Sequence, residues 1–290
     1  MTYPSSSLSL KGVYTLCKPE DDGNIAIICD SPHSGTFFPK DFHYNCKKKD
    51  LLRFSDLYVD ELISDLPSIG ATPLSALFPR TYVDVNRRRN DIDEAFLETS
   101  WDEEVSRKGR AKSGHGVIFQ TAYDGKKIYD QKLTSSHVKH RLAHYYDPYH
   151  RTLASEIRLL KEKHGSVLHI NFHSMPSNYG FVSLPDIVLG NLNGVSSDSY
   201  FLHKIRDLFH EKGYSVALNH PYKGAEILRQ SGHPHRGVQS VQIEINRKLY
   251  MNENTLEKNN NVETIRNDIT FIVSNLSVTI KPVYLNAVAD

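Results

Sequence analysis

Gly165-Ser166-Val167-Leu168-His169-Ile170-Asn171-Phe172-His173-Ser174-Met175-Pro176 is the stretch on which the fold class depends. A long helical pattern precedes it, from about Ser136 to Lys163, with Leu142, Tyr145, Tyr149, Leu153, Ile157 and Leu160 forming an apolar stripe. Pro148 lies inside that pattern and is expected to kink or split the helix, because it has no N–H to give. Gly165 ends it. The sequence from Ser166 to Phe172 then reads as a strand.

Working outward, the same alternation recurs. Asn24–Asp30 holds the apolar run Ile25, Ala26, Ile27, Ile28 and Cys29, which suits a strand covered on both faces. Asp50–Ile69 carries Leu52, Ser55, Val59, Leu62 and Leu66 at helical spacing. Ala71–Leu77, Thr81–Val85, Gly116–Gln120, Asp186–Leu189, Tyr214–Leu218 and Val238–Ile245 read as further strands. Helices are expected over Ser197–Lys212, closed by Gly213, and over Val262–Leu276. Ser5–Ser9 reads as a loose polar leader. Strands alternating with helices imply a layered α/β domain on a mostly parallel or mixed central sheet. No linker divides residues 1–290, so a single domain is expected.

Composition narrows the class. Lys+Arg at 35 against Asp+Glu at 34 leaves a formal charge of +1, which supplies no broad footprint for nucleic acid or an anionic membrane. The three cysteines, Cys17, Cys29 and Cys46, have no paired spacing, which argues against a disulfide framework or structural zinc. The run Ile25–Cys29 is far below the ~20 apolar residues of a membrane span. The first residues have no apolar signal core, so a cytoplasmic location is expected. Histidine stands out at 15, a count that by itself establishes neither metal binding nor catalysis.

In open α/β sheets, ligands sit beyond the carboxyl ends of strands, and four such ends carry chemistry. Asp30-Ser31-Pro32-His33-Ser34-Gly35 projects His33 from a turn stiffened by Pro32, with Gly35 admitting an unusual backbone conformation. On the strand Ser166–Phe172, His169 and His173 share a face but stand ~13 Å apart at the usual rise, too far for one ion. His173, at the strand end, is the better ligand candidate, and His169 is read as a buried, hydrogen-bonded histidine. Asp84-Val85-Asn86-Arg87 ends another strand and offers Arg87 as a planar fork for a carboxylate. In Gln242-Ile243-Glu244-Ile245, a carboxylate sits inside an apolar strand. Glu244 then needs either an ion pair, with Arg247 or Arg87, or a role as general base. A catalytic zinc site needs three protein ligands and an open position. Asp56 and Asp60 are both candidates for the third ligand, against a plain reading as exposed helix charges.

The ordered set Pro32-His33-Ser34-Gly35, Asp56, Asp84-Val85-Asn86-Arg87, Pro148-Tyr149-His150, His173-Ser174, Asn219, Lys223-Gly224, Arg229, Gly232, Gln242-Ile243-Glu244 and Tyr250-Met251 resembles the N-formylglutamate amidohydrolase family over about residues 24–251. It is similar, more distantly, to zinc carboxypeptidases. The resemblance implies a single-domain, phosphorylase/hydrolase-like three-layer α/β fold with a mixed central sheet. It implies one divalent metal ion, zinc, on His33, Asp56 and His173, with Glu244 as general base and proton donor. Arg87 and Arg229 would bind a substrate carboxylate with help from Asn86; Asn219 and Tyr222 are further pocket candidates. Arg247 departs from some members of the family and bears on which acyl amino acid fits.

The implied reaction is hydrolysis of a small acidic N-acyl amino acid, N-formyl-L-glutamate first, to formate and L-glutamate, in histidine degradation. Nucleic acid and membranes are not expected partners. A carboxypeptidase-like enzyme or a deacylase for another N-acyl amino acid is the rival within hydrolases. A non-catalytic small-molecule binder on the same fold is the rival outside them.

Overall fold

The computed structural model describes residues 7–19, 23–123 and 125–277. In chain order its elements are β1 (Ser7–Leu10), β2 (Tyr14–Cys17), β3 (Ile27–Ser31), α1 (Lys48–Leu52), α2 (Val59–Leu62), β4 (Thr72–Ala76), α3 (Ser135–Arg141) and α4 (Asp147–His164). These are followed by β5 (Val167–Met175), β6 (Asn178–Tyr179), β7 (Val182–Ser183), β8 (Ile187–Gly190), α5 (Ser199–Glu211), β9 (Val216–Leu218), α6 (Glu226–Ser231), β10 (Val238–Asn246) and α7 (Val262–Ser277). Eight strands form one mixed sheet in the order β1-β2-β4-β3-β5-β10-β8-β9, and β6 and β7 make a separate small hairpin. Its centre is parallel: β4, β3, β5 and β10 run the same way. β8 pairs antiparallel to β10, and β1 and β2 are antiparallel at the other side.

Each central strand is buried along its length and divides its side chains between two layers. Leu168, Ile170 and Phe172 of β5 and Val241, Ile243 and Ile245 of β10 pack with α2, α5 and α7 residues such as Val59, Leu202, Ile205, Ile269 and Ile272. On the opposite face, Tyr149, Leu153, Ile157 and Leu160 of α4 pack against Ile28, Leu74 and the chain between Ile92 and Leu133. The result is the expected three-layer α/β arrangement. The polar alternates of β5 and β10, His169, Asn171, His173, Ser240, Gln242 and Glu244, share neither core cluster and face each other in register.

Several local expectations are corrected. The helix expected over Asp50–Ile69 is broken into α1, α2 and a 3₁₀ turn at Leu66–Ile69. Tyr58, before α2, takes a left-handed φ of 68°, and the Asp56 N–H is tied to the His33 carbonyl at 3.0 Å. These contacts turn Asp56 inward, which a continuous helix would not do. Thr81–Val85 is a series of turns: Tyr82 N–H bonds to Pro79 O, and Arg87 N–H to Asp84 O. Gly116–Gln120 makes only the isolated bridge His115–Phe119. The leader reading covers residues 5 and 6, outside the described set, while Ser7–Leu10 is the exposed edge strand β1. The long helix does not break at Pro148; its regular α geometry is interrupted just before it. α3 passes through a π-turn at Leu142–Tyr146 into α4, where Pro148 occupies the first turn and needs no hydrogen-bond acceptor.

Candidate active site

The parallel strands β3, β5 and β10 end on the same side of the sheet, and the loop after β3 folds over that end. Gly35 has no positive φ, contrary to expectation. It is needed for close approach: a Cβ there would stand 2.3 Å from the Leu77 carbonyl carbon. That contact seats the loop, and His33 ends 1% exposed.

His33, Asp56 and His173 converge so that one ligand atom from each lies within 4.8 Å of the others. The Asp56 Oδ2 is 2.9 Å from His173 Nδ1 and 3.4 Å from His33 Nδ1. Both rings therefore present Nδ1 to the common point, and each has its Nε2 held elsewhere. His33 Nε2 bonds to Asp84 Oδ1 at 2.8 Å, and His173 Nε2 to Asn171 Oδ1 at 2.8 Å. His33 Nδ1 is fully buried with no hydrogen-bond partner. An orphaned buried nitrogen aimed at a carboxylate and a second imidazole is the donor arrangement that a bound cation would satisfy. The two-imidazole, one-carboxylate donor set fits zinc with an open position. Asp60 is not part of this group; it lines a separate cavity of about 450 Å³, where burial pushes its carboxyl up to about 6.

Asp56 is positioned from behind. Its Oδ1 accepts from Ser174 Oγ at 3.2 Å and from Arg247 Nη2 at 3.1 Å. Arg247 also donates to Ser174 Oγ, to the Arg53 carbonyl and to the Ser55 carbonyl. Its guanidinium is therefore occupied in holding Asp56 and the turn before it. The neighbouring histidines keep the Asp56 carboxyl well below its ordinary range against the cost of burial.

Glu244 sits beside His173, its register partner across β5 and β10. Its Oε1 accepts from Gln242 Nε2 at 2.9 Å, and among the described residues no cation pairs with it within 4.0 Å. The ion-pair reading therefore fails for Arg247, which holds Asp56, and for Arg87, which is 4.0 Å from Asp84. Burial pushes the Glu244 carboxyl up to about 7; His173, Arg80 and Arg247 pull against it, and Asp56 adds to it.

These groups open into one cavity of about 1090 Å³, whose wall also includes Asn86, Arg87, Tyr222 and Arg229. Asn86 links two elements: its Oδ1 accepts from Ile227 N–H at 3.0 Å, and its Nδ2 stands 3.1 Å from His173 Nε2. Arg87 is anchored by Nε–H to the His115 carbonyl at 3.1 Å. Burial lowers its pKa, and the positive charges of Arg80 and Arg110 add to that. Tyr222 is half-buried, its hydroxyl raised to about 12 by burial. Arg229, on α6, is half exposed and already paired with Glu226. Asn219 does not line this cavity. It has a left-handed φ of 56°, and its amide is engaged by Asn191 and Asn193.

Three contributors carry no assigned role in the sequence pattern. Asp84 holds His33. Arg80 grips Asp84 through Nε and Nη2, at 3.1 and 2.7 Å, and lines the cavity. Asn171 orients His173, and its own Nδ2 donates to Asp30 at 2.7 Å. Asp84 stands in the Asp84-Val85-Asn86-Arg87 motif, but the turn that aims it at His33 has no periodic signature. His169 is buried between Asp30 and Ser240, as expected.

Comparison with known proteins gives matches over most of the chain. The family model described as N-formylglutamate amidohydrolase matches residues 25–251. An N-formylglutamate deformylase of Pseudomonas aeruginosa is 29% identical over 238 residues, which is 80% of this chain and 84% of that protein. One from Pseudomonas putida is 29% identical over 205 residues, 69% of this chain and 71% of that one. The crystal structure of an N-formylglutamate amidohydrolase from Ralstonia eutropha JMP134 superposes with a TM-score of 0.88 at 36% identity, covering 93% of this chain and 98% of that one.

Proposed function

The chain belongs to the N-formylglutamate amidohydrolase family, and from that premise we propose that it hydrolyses N-formyl-L-glutamate to formate and L-glutamate with a bound zinc ion. The observation that carries the reading is the convergence of His33 Nδ1, Asp56 Oδ2 and His173 Nδ1 beside an unpaired, buried Glu244 in a cavity rich in arginine.

His33, Asp56 and His173 would hold the ion. Bound there, zinc supplies Lewis acidity: it makes water more acidic and favours negative charge on the formyl oxygen. Glu244, unpaired and with its carboxyl near neutrality, takes a proton from the attacking water. As the C–N bond breaks, the same carboxyl returns that proton to the leaving amine. Water thus contributes OH to formate and H to the amino group. Arg87 holds a substrate carboxylate, with Asn86 beside it and Tyr222 and Arg229 on the same wall. Asp84 and Asn171 keep both Nδ1 atoms on the cation side by fixing the two Nε2 protons.

The test is formate and glutamate release from N-formyl-L-glutamate by the purified protein, alongside its metal content. Zinc near one per chain and release abolished by a chelator and restored by zinc are expected. Release unchanged after complete metal removal, or no cleavage of the formyl amide by zinc-loaded protein, refutes the proposal.

A further inference from the structure

We infer that Arg110 binds the side-chain carboxylate of the substrate, as the outer partner of a two-carboxylate grip whose inner partner is Arg87. The inference rests on the amidohydrolase reading above and assigns the residue that distinguishes a glutamate from a neutral amino acid. Seven arginines line the cavity, and among the described residues six have their guanidinium groups engaged. Arg80 grips Asp84, and Arg87 bonds the His115 carbonyl and lies 4.0 Å from Asp84. Arg88 and Arg229 share Glu226. Arg247 is committed to Asp56, and Arg53 donates to the carbonyls of Glu253 and Asn254. Arg110 alone has neither a carboxylate nor a carbonyl at its guanidinium.

Its backbone, in contrast, is firmly held. Buried Asp91 accepts the N–H groups of Arg110 at 2.9 Å and Ala111 at 3.0 Å. Gly109 lets the chain pass that carboxylate, since a Cβ there would lie 1.7 Å from Asp91 Oδ1. The Arg110 carbonyl accepts from His115 N–H at 3.1 Å, and the His115 carbonyl accepts from Arg87 Nε at 3.1 Å. One residue therefore fixes the two arginines relative to each other. Their charges, with that of Arg80, depress the His115 pKa on top of its burial, as expected for cations crowded at one wall without enough counter-charge.

The two arginines differ in depth, and that assigns the carboxylates. Arg87 follows Asn86, which reaches His173, and its side chain is 16% exposed. The α-carboxylate adjoins the carbon that bears the scissile amide, so it belongs with the inner cation. Arg110 is exposed at the outer wall, where the side chain of an amino acid held in that orientation would extend. Lys108 lines the same wall and adds a second positive charge.

The test compares N-formyl-L-glutamate with N-formyl-L-glutamine, which differs only in a neutral side-chain amide. Wild type is expected to prefer the glutamate substrate, and Arg110→Gln to lower the ratio of the two kcat/KM values about tenfold, mainly through KM. That is the size of one charge-assisted hydrogen bond at a partly exposed site. Both substrates meet the same preparation, so loss of folded protein cancels in the ratio. An unchanged ratio in Arg110→Gln overturns the inference while leaving the amidohydrolase reading intact. Calorimetric binding of glutarate against its monoamide gives an answer that needs no turnover. If the wild-type preference for glutarate persists in Arg110→Gln, the inference fails; if the preference is lost in the variant, it stands even where the amidohydrolase reading fails.

Discussion

Arg247→Ala tests how far the proposed metal site depends on a residue outside the His33, Asp56 and His173 group. The side chain is 12% exposed and Asp56 is 2% exposed, so the pair is largely shielded from water. The substitution removes donors at 3.0 Å to Ser174 Oγ, 3.1 Å to the Arg53 carbonyl, 3.0 Å to the Ser55 carbonyl and 3.1 Å to Asp56 Oδ1. Asp56 Oδ1 keeps only Ser174 Oγ at 3.2 Å. Removing one partner of a buried ion pair costs about 3–5 kcal/mol, and the partial exposure of Arg247 puts the expected loss near the lower figure, about 3 kcal/mol. The zinc dissociation constant should rise about 10- to 100-fold, the usual effect of losing a group that orients a ligand. Urea unfolding of the zinc-free protein reads the first quantity, and chelator competition on the folded variant reads the second. Arg247→Lys should recover only part of either, because an ammonium cannot span the acceptors that the planar guanidinium reaches. A folded Arg247→Ala variant that binds zinc within twofold of wild type would refute the argument that Asp56 is held from behind.

The other expectations are brief. Glu244→Gln should keep stoichiometric zinc and lose about 10²–10⁴-fold in kcat, measured as formate release; near-normal turnover removes Glu244 from proton transfer. His173→Ala should lose zinc, since two ligands rarely retain the ion, and metal analysis after dialysis checks this. Asp60→Asn should stabilise the protein in a pH-dependent way. The folded carboxyl titrates at about 6 and the unfolded one near 3.9, so ionisation penalises the folded state increasingly from about pH 4 to pH 6 and fully above it. Thermal or urea unfolding should show a gain of about 2–3 kcal/mol at pH 8 that disappears near pH 4; a gain independent of pH contradicts it.

The central strands were legible because burial on both sides leaves a direct mark on composition. Val167–Met175 and Val238–Asn246 lie within one or two residues of the expected strands at their amino ends, and His173 and Glu244 followed from the alternation. Asp56 falls in a helical pattern, yet it reaches the site because the helix is interrupted there. The interruption depends on a bond to the His33 carbonyl, a partner 23 positions back. Asp84, Arg80 and Arg247 act through turns and long-range hydrogen bonds, which leave no period in a sequence. Asn219 shows another long-range tie without a period: its side-chain amide bonds the segment at Asn191 and Asn193, more than 25 residues earlier.

The position of β10 has a consequence for assembly. Among the described residues it is the last strand, yet it lies between β5 and β8, both made earlier. A nascent chain that ends before residue 238 has β8 and β9 on one side of a gap and the five remaining sheet strands on the other. Such a gap exposes two unpaired strand edges, a state prone to wrong pairing. Closing it is a long-range event that pays loop entropy before it gains contacts. The same closure brings in Glu244 and Arg247. Glu244 and the clamp on Asp56 therefore arrive together, as the sheet is sealed, and a half-made chain carries neither.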